Sequence, residues 1–440
     1  MVMKAFFMFY TLILLGEVDK YIMKGESQMI TKENLALGNS LTTNLNAISL
    51  HKKIILGIQH TFTMFGATVL VPLITQMDIS VALFMAGVGT LLFHLITKGK
   101  VPAFLGSSFA FIAPILAVAE MSNLQYAQGG LVVAGLVYLI MAGLISIFGV
   151  EKIISFFPPV ITGPIIMVIG LKLAPVAIDM ASSNWLLAIV SFSIVTAVSI
   201  YGRGFLKVLP VLVGLLGGYA VALLTGNVDF TPVAEANKLF ALPNFTLAKF
   251  NLQTVMMIAP VAVATMIEHV GDILAIGTTV KKDFVKDPGL NKTLLGDGIA
   301  TSVSAMFGGP ANTTYSENTG VLALTKVHDP SIVRIAAVFA IVLGIMPKVG
   351  AIIKTIPTAV VGGISIVLFG MIAAIGARSL VENKVDFSNS RNLLIAAVIM
   401  VLGLGGASLP INIGMVNFTI EGMALAAIVG IALNKILPQR

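Results

Sequence analysis

From Ile54 to the C-terminus the chain is a succession of apolar runs separated by short polar loops. Each run is close to the ~20 residues that an α-helix needs to cross ~30 Å of hydrocarbon. Runs of that length leave few folds open, because in lipid every backbone N–H and C=O must be satisfied within the protein, by helices or by a closed barrel. A membrane barrel would show ~10-residue segments of alternating hydrophobicity, and this sequence has none. Only 11% of the 440 residues are charged, against 57% hydrophobic. A mean hydropathy of +0.99 is too high for a soluble surface of this size. The sequence therefore predicts an all-α polytopic membrane protein. The absence of cysteine excludes disulfides and thiolate chemistry.

The predicted spans cover approximately 54–75, 79–97, 102–119, 129–150, 157–174, 184–201, 207–225, 254–273, 291–307, 310–326, 332–347, 350–373, 391–407 and 418–437, about fourteen in all. Residues 1–50 stand apart: the apolar run Ala5 to Leu15 is too short to span, and the polar stretch after it reads as a disordered cytoplasmic leader or an interfacial helix, with Met29 an alternative start. Beyond the leader, Lys and Arg alternate between loops. Eighteen, among them Lys53, Lys98, Lys100, Arg334 and Arg378, fall on one side; five, Lys172, Lys238, Lys249, Lys348 and Lys354, fall on the other. The positive-inside rule then puts both termini in the cytoplasm. The net charge of +7 is explained by this topology, so no nucleic-acid partner is expected.

The loop 226–253 falls outside and leaves seven spans on each side of it. Two odd-numbered halves joined in series enter the membrane from opposite faces, so they form inverted repeats, as in many secondary transporters. Internal echoes support this. Pro102-Ala-Phe-Leu-Gly-Ser107-Ser108-Phe109-Ala110 answers Pro310-Ala-Asn-Thr313-Thr314-Tyr315-Ser316, and Pro158-Pro-Val-Ile-Thr-Gly163 answers Pro357-Thr-Ala-Val-Val-Gly362. Spans three and ten open with Gly, Ser, Thr and aromatic residues ahead of better helix formers, which predicts an extended entry followed by a half-helix. Two such entries arriving from opposite faces would satisfy each other as a short antiparallel β-pair. Their half-helix N-termini would offer N–H donors near the midplane.

Ionisable groups at membrane depth are costly and normally face a ligand or a pathway. Glu317 in span ten is one. In span eight, Met266-Ile-Glu268-His269-Val-Gly-Asp272 places Glu268 and Asp272 four apart on one helical face, with His269 turned about 100° away from them. Neighbours one apart on a helix do not converge on one ion, so no metal site is expected. His269 could equally cap or pack, and Asp272 divides evenly between site and interface. His60 and His94 read as packing histidines and Asp297 as an interfacial residue. No Ser/His pair at hydrolase spacing and no His-Glu-x-x-His motif marks an enzyme.

The run Glu317-Asn318-Thr-Gly320-Val-Leu-Ala-Leu-Thr325-Lys326 resembles the signature of the nucleobase–ascorbate transporter (nucleobase:cation symporter-2) family. Gln59-His60, Phe65 to Pro72, Gly106 to Phe111 and Glu268-His269-Val-Gly extend the resemblance, which runs from about residue 50 to the C-terminus. It implies a core domain of 51–150 and 254–347, a gate domain of 151–225 and 348–440, and the short strands in spans three and ten. It further implies that Glu268 and Glu317 contact a base through their carboxylates, that backbone near Phe109 and Ser316 donates N–H groups, that Phe109 and Tyr315 supply ring contacts, and that Ser108 belongs to the same substrate site. Glu rather than Gln at position 317 points to uracil over purines within the family. Two N–H donors and two carbonyls on a flat ring do call for carboxylates, amides and an apolar slot.

The implied activity is proton-coupled uptake across a bacterial inner membrane, with Glu268, Asp272, Glu317 and His269 as candidate proton carriers, no cofactor beyond the proton, and a homodimer as family habit. Some relatives carry His where this chain has Asp272, which leaves the coupling group open. The alternatives are a purine or xanthine permease of the same family and, less well supported, an anion transporter of the same seven-plus-seven build, since two carboxylates would repel an anion.

Overall fold

The computed structural model describes residues 49–413 and 416–438, and Leu50–Arg440 form one compact unit. The predicted leader lies outside the described residues. The chain is mostly helical: α1 (Leu50–Thr75), α2 (Ile79–Ile96), strand β1 (Leu105–Ser107), α3 (Phe109–Met121, opening with a 3-10 turn), α4 (Leu124–Phe148), α5 (Pro159–Ser182), α6 (Trp185–Tyr201) and α7 (Pro210–Leu224) make the first half. The second half has α8 (Leu252–Val280), α9 (Leu290–Met306), strand β2 (Asn312–Thr314), α10 (Ser316–Thr325), α11 (Pro330–Gly344), α12 (Pro347–Lys354), α13 (Thr358–Glu382), α14 (Ser390–Leu404), strands β3 (Ser408–Ile413) and β4 (Val416–Glu421), and α15 (Gly422–Ile436).

Among the described residues, six helices are long and apolar enough to cross a membrane: α1, α2, α4, α5, α8 and α13. The helices α3, α6, α7, α14 and α15 are apolar but shorter. Asp and Asn start many of the helices by accepting a backbone N–H of the first turn, Asp78 from Val81 at 3.0 Å, Asn123 from Gln125 at 3.0 Å and Asp329 from Ser331 at 2.9 Å. These acceptors satisfy donors that helical geometry leaves open.

Three predicted boundaries need correction. The span expected at 350–373 is two helices, α12 ending at Lys354 and α13 starting at Thr358, with Pro357 extended between them as the N-cap of α13; a proline there disfavours helical backbone in the residue before it. The axes of α11 and α12 differ by 78°. The span expected from 418 starts at Gly422, after a β3–β4 hairpin whose sequence, Ser408-Leu-Pro-Ile-Asn-Ile and Val416-Asn-Phe-Thr-Ile, alternates at the period of two that strands require. Helix α8 runs seven residues past its expected end at 273, to Val280.

The main packings come in matched pairs. Contacts α4–α9 and α11–α2, α1–α11 and α8–α4, α6–α7 and α14–α15, and α6–α13 and α14–α5 exchange when the first seven apolar segments are swapped for the last seven, while α2–α9 and α5–α13 map onto themselves. The exchange centres on β1 and β2, which pair antiparallel with Leu105 opposite Thr314, Gly106 opposite Thr313 and Ser107 opposite Asn312. One further bond at each end, Ser108 N–H to Ala311 O and Tyr315 N–H to Phe104 O, both 2.9 Å, lengthens the ladder.

A two-stranded pair still has two open edges. Here each is closed by a threonine. Thr90 of α2 accepts the Leu105 N–H at 2.9 Å and faces the Leu105 carbonyl at 3.2 Å. Thr301 of α9 accepts the Asn312 N–H at 3.2 Å and donates to the Asn312 carbonyl at 2.9 Å. Leu105 and Asn312 are related by an offset of 207 (312 − 105), the same offset that relates Gly106 to Thr313.

Close helix approach depends on glycine. A methyl on Gly298 of α9 would stand 2.7 Å from the Gly135 carbonyl of α4, so Gly298→Leu should cost ~1–3 kcal/mol through forced separation of the helices and lower the thermal midpoint of the purified protein. Thr90→Val and Thr301→Val keep side-chain volume but strand buried backbone groups, a loss of ~1–3 kcal/mol each. Thermal melts of the two variants should show comparable drops; a drop in only one would contradict the matched roles of the two hydroxyls.

Candidate functional site

The first turns of α3 and α10 follow directly from β1 and β2, so the antiparallel pair sets a half-helix N-terminus at each of its two ends. The leading N–H groups of a helix have no acceptor within it, and Phe109 and Ser316 hold those positions. Applying the offset of 207 shows where the symmetry breaks. Ser108 corresponds to Tyr315, Phe109 to Ser316, and Ala110 to Glu317 (317 − 110 = 207). The carboxylate is thus present on one side only, in the first turn of α10, where the partial positive charge of the helix N-terminus favours it.

Helix α8 packs against α10 and β2. Its Glu268 and Asp272 are half-buried on a face shared with the exposed Gly271 and Ala275. Glu268 and Asp272 lie near enough to each other, to Glu317 and to Asp297 for their charges to interact. Thr314 Oγ1 donates to Asp272 Oδ2 at 2.8 Å, which ties α8 to the end of β2.

Glu317 also lines a narrow cavity of about 70 Å³ with Thr63 and Ala67 of α1, Ser199 of α6, Leu212 of α7 and Met371 of α13. The cavity separates the strand-bearing helices from α6, α7 and α13. Phe109 is half-buried and meets Phe369 of α13 edge-on, with ring centroids 6.3 Å apart.

The remaining expected site residues fall into two groups. Ser316 is exposed at the start of α10. Tyr315 is 4% exposed; its hydroxyl donates to the Ser107 carbonyl at 3.0 Å, and its ring lies directly against Gly106, where any side chain would collide with it. Ser108 is buried, with its N–H committed to Ala311. These two residues hold the strand crossing itself. His269 is fully buried, with Nδ1 3.0 Å from Asp297 Oδ2.

Three expectations change here. Asp297 is not interfacial; it is fully buried against His269, because α9 is drawn into the centre by its small residues Gly296, Gly298 and Ala300. His60 is more than a packing residue: the Asn318 side-chain amide lies 3.0 Å from His60 Nδ1 and donates to the His60 carbonyl at 3.1 Å, fastening α10 to α1. His94 Nε2 lies 3.0 Å from the Ala103 carbonyl, just ahead of β1. Asn318, beside Glu317 in the signature, thus seats α10 against α1, a role that the sequence alone does not single out. Among the described residues, no group of three or more His, Asp and Glu side chains is arranged to hold a metal ion.

The sequence profile of the Permease family (Xan_ur_permease) matches residues 51–412. The uracil permease of Bacillus caldolyticus is 46% identical over 402 residues, covering 88% of this chain and 92% of that protein. The uracil permease of Escherichia coli K12 is 40% identical over 392 residues, 87% and 90% of the two chains. Among solved structures, the transmembrane domain of the cyanobacterial bicarbonate transporter BicA superposes with a TM-score of 0.59 at 14% identity, over 87% of this chain and 96% of that one. The inward-facing murine anion transporter Slc26a9 gives a TM-score of 0.66 at 10% identity, over 94% and 74%. At these identities the two structures speak for the fold alone. The profile match and the long, near-complete alignments assign the chain, as a multi-pass membrane protein, to the Xan_ur_permease family of permeases, the nucleobase:cation symporter-2 group whose signature runs from Glu317 to Lys326.

Proposed function

We propose that this protein carries uracil into the cell together with a proton, by alternating access across the cytoplasmic membrane. The observation that carries the reading is the approach of Glu268 to Glu317 beside the β1–β2 pair, at whose two ends the leading N–H groups of α3 and α10 stand. The uracil permeases aligned over nearly the whole chain support the choice of base. Uracil offers two N–H donors and two carbonyl acceptors. Glu268 and Glu317 accept from the ring, the N–H groups of Phe109 and Ser316 donate to it, and the Phe109 ring lies along its face. Ser108 and Tyr315 form the floor beneath.

The chain crosses the bilayer fourteen times, with both termini cytoplasmic and the basic loops inside. The halves 51–150 and 254–347 form a core that bears the site, and 151–225 and 348–440 form a gate. The narrow cavity between Glu317 and α6, α7 and α13 lies where the two bodies meet. A flat ring enters when they separate, and closure expels water around the carboxylates. Asp272, tied to β2 through Thr314, and Glu268, on the same helical face, take up the coupling proton. His269, held by Asp297, fixes the helix that presents them.

Replacing Glu317 by Gln removes a charge-assisted hydrogen bond worth ~1.5–3 kcal/mol, so labelled-uracil binding to the purified protein should weaken by about tenfold or more. Glu268→Ala should abolish uracil exchange in proteoliposomes while the protein still elutes as a folded species. Wild-type behaviour of either variant removes that residue from the site. Stronger competition by xanthine than by unlabelled uracil would move the substrate to purines, and chloride-dependent currents in a bilayer would reassign the protein to anion transport.

A further inference from the structure

An open groove lies away from the nucleobase site, between the start of α1, the end of α2 and the first turns of α11. It has a volume of about 430 Å³. Its wall is apolar, formed by Leu50, Leu91, Val338 and Phe339, while Lys53 and Arg334 stand at its rim. Leu50 is 69% exposed, Val338 51% and the nearby Leu95 75%. In a membrane protein such a face is turned to acyl chains.

The rim is unevenly neutralised. Lys53 is engaged by Asp329 at 2.7 Å, and Lys100 of the adjacent loop by Asp287. Burial would raise the Asp329 carboxyl, but hydrogen bonds from Lys53 and Ser331 more than offset this and hold it below its ordinary range. Arg334 has no carboxylate within ion-pair distance among the described residues. Its guanidinium is half-buried over Gly99, in the turn between Lys98 and Lys100. The α2 end, the α1 start and this turn all belong to the side that collects the basic loops. A planar five-donor cation with no acid partner among the described residues, set at the mouth of an apolar groove, is matched to a phosphodiester attached to an acyl chain.

We infer that this groove is a binding site for one anionic phospholipid of the cytoplasmic leaflet, its phosphate on Arg334 and one acyl chain along Leu91, Val338 and Phe339. The net positive rim selects an anionic over a zwitterionic headgroup, and the apolar wall selects a lipid over a free phosphate. The site lies on α1 and α11, which pack together. α1 also carries His60, the residue that fastens α10.

The test titrates the purified full-length protein in detergent with phosphatidylglycerol, phosphatidylcholine or glycerol 3-phosphate, with bound lipid counted by native mass spectrometry and stability followed by the thermal midpoint. Phosphatidylglycerol is expected to be retained and to raise the midpoint, with the other two much weaker. Removing one basic contact to an anionic lipid is worth about a fivefold loss in affinity, which Arg334→Gln should show as a minimum. Val338→Trp, which fills the groove and leaves every charge in place, should lose phosphatidylglycerol as well. Lys281→Gln, in a different loop, should bind as wild type does. Unchanged phosphatidylglycerol binding in both Arg334→Gln and Val338→Trp, or equal stabilisation by phosphatidylcholine, would overturn the inference. Equal stabilisation by glycerol 3-phosphate would replace the lipid by a soluble phosphate and overturn it too.

Discussion

Two extended segments meeting inside an apolar protein are tolerable only if every N–H and C=O along them is paired, since each unpaired group costs several kcal/mol at membrane depth. The pairing of β1 with β2 satisfies the inner edges; on the outer edges the Thr90 and Thr301 hydroxyls take the backbone groups of Leu105 and Asn312, and the Tyr315 hydroxyl takes the Ser107 carbonyl. Much else follows from that solution. The helices α2 and α9 have to lie alongside the strands to deliver those hydroxyls, which explains why their contact maps onto itself under exchange of the halves. Gly106 has to lack a side chain because the Tyr315 ring occupies that space. The N-termini of α3 and α10 are then left at the two ends of the pair, with donors that no intrahelical carbonyl can take.

The functional asymmetry is laid over this symmetric scaffold. Where one half presents Ser108, Phe109 and Ala110, the other presents Tyr315, Ser316 and Glu317. In the proposed uracil site the first triplet supplies an aromatic wall and the second a carboxylate, so a flat ring with polar edges would be gripped on its face from one repeat and on its rim from the other. Glu268 and Asp272 arrive from α8, while the His60–Asn318 contact keeps α10 seated against α1.

Much of this was legible in the sequence because the bilayer imposes so strict a rule. The length of the apolar runs gave the helical class, and Gly, Ser, Thr and Pro ahead of better helix formers marked the segments in which the strands occur. Glu317 and Glu268 stood out because charge at membrane depth is costly. What the sequence concealed is of a different physical kind. Asp297 has the same local context as an interfacial aspartate, near Lys292 and a helix start; only the close approach of α9 to its neighbours, permitted by small residues far apart in sequence, reveals that it is buried against His269. The His60–Asn318 bond joins residues 258 apart, and no periodicity reports such a contact. The break before Pro357 was visible but was overridden by the hydrophobicity on both sides of it. The β3–β4 alternation was absorbed into an apolar run for the same reason.

If two carboxylates and two helix N-termini beside the strand pair form a proton-linked uracil site, an imposed inward proton gradient should drive accumulation of labelled uracil in proteoliposomes. Uptake should rise above the equilibrium level and collapse when a protonophore dissipates the gradient. Uracil that merely equilibrates, with or without the gradient, would rule out proton coupling at this site.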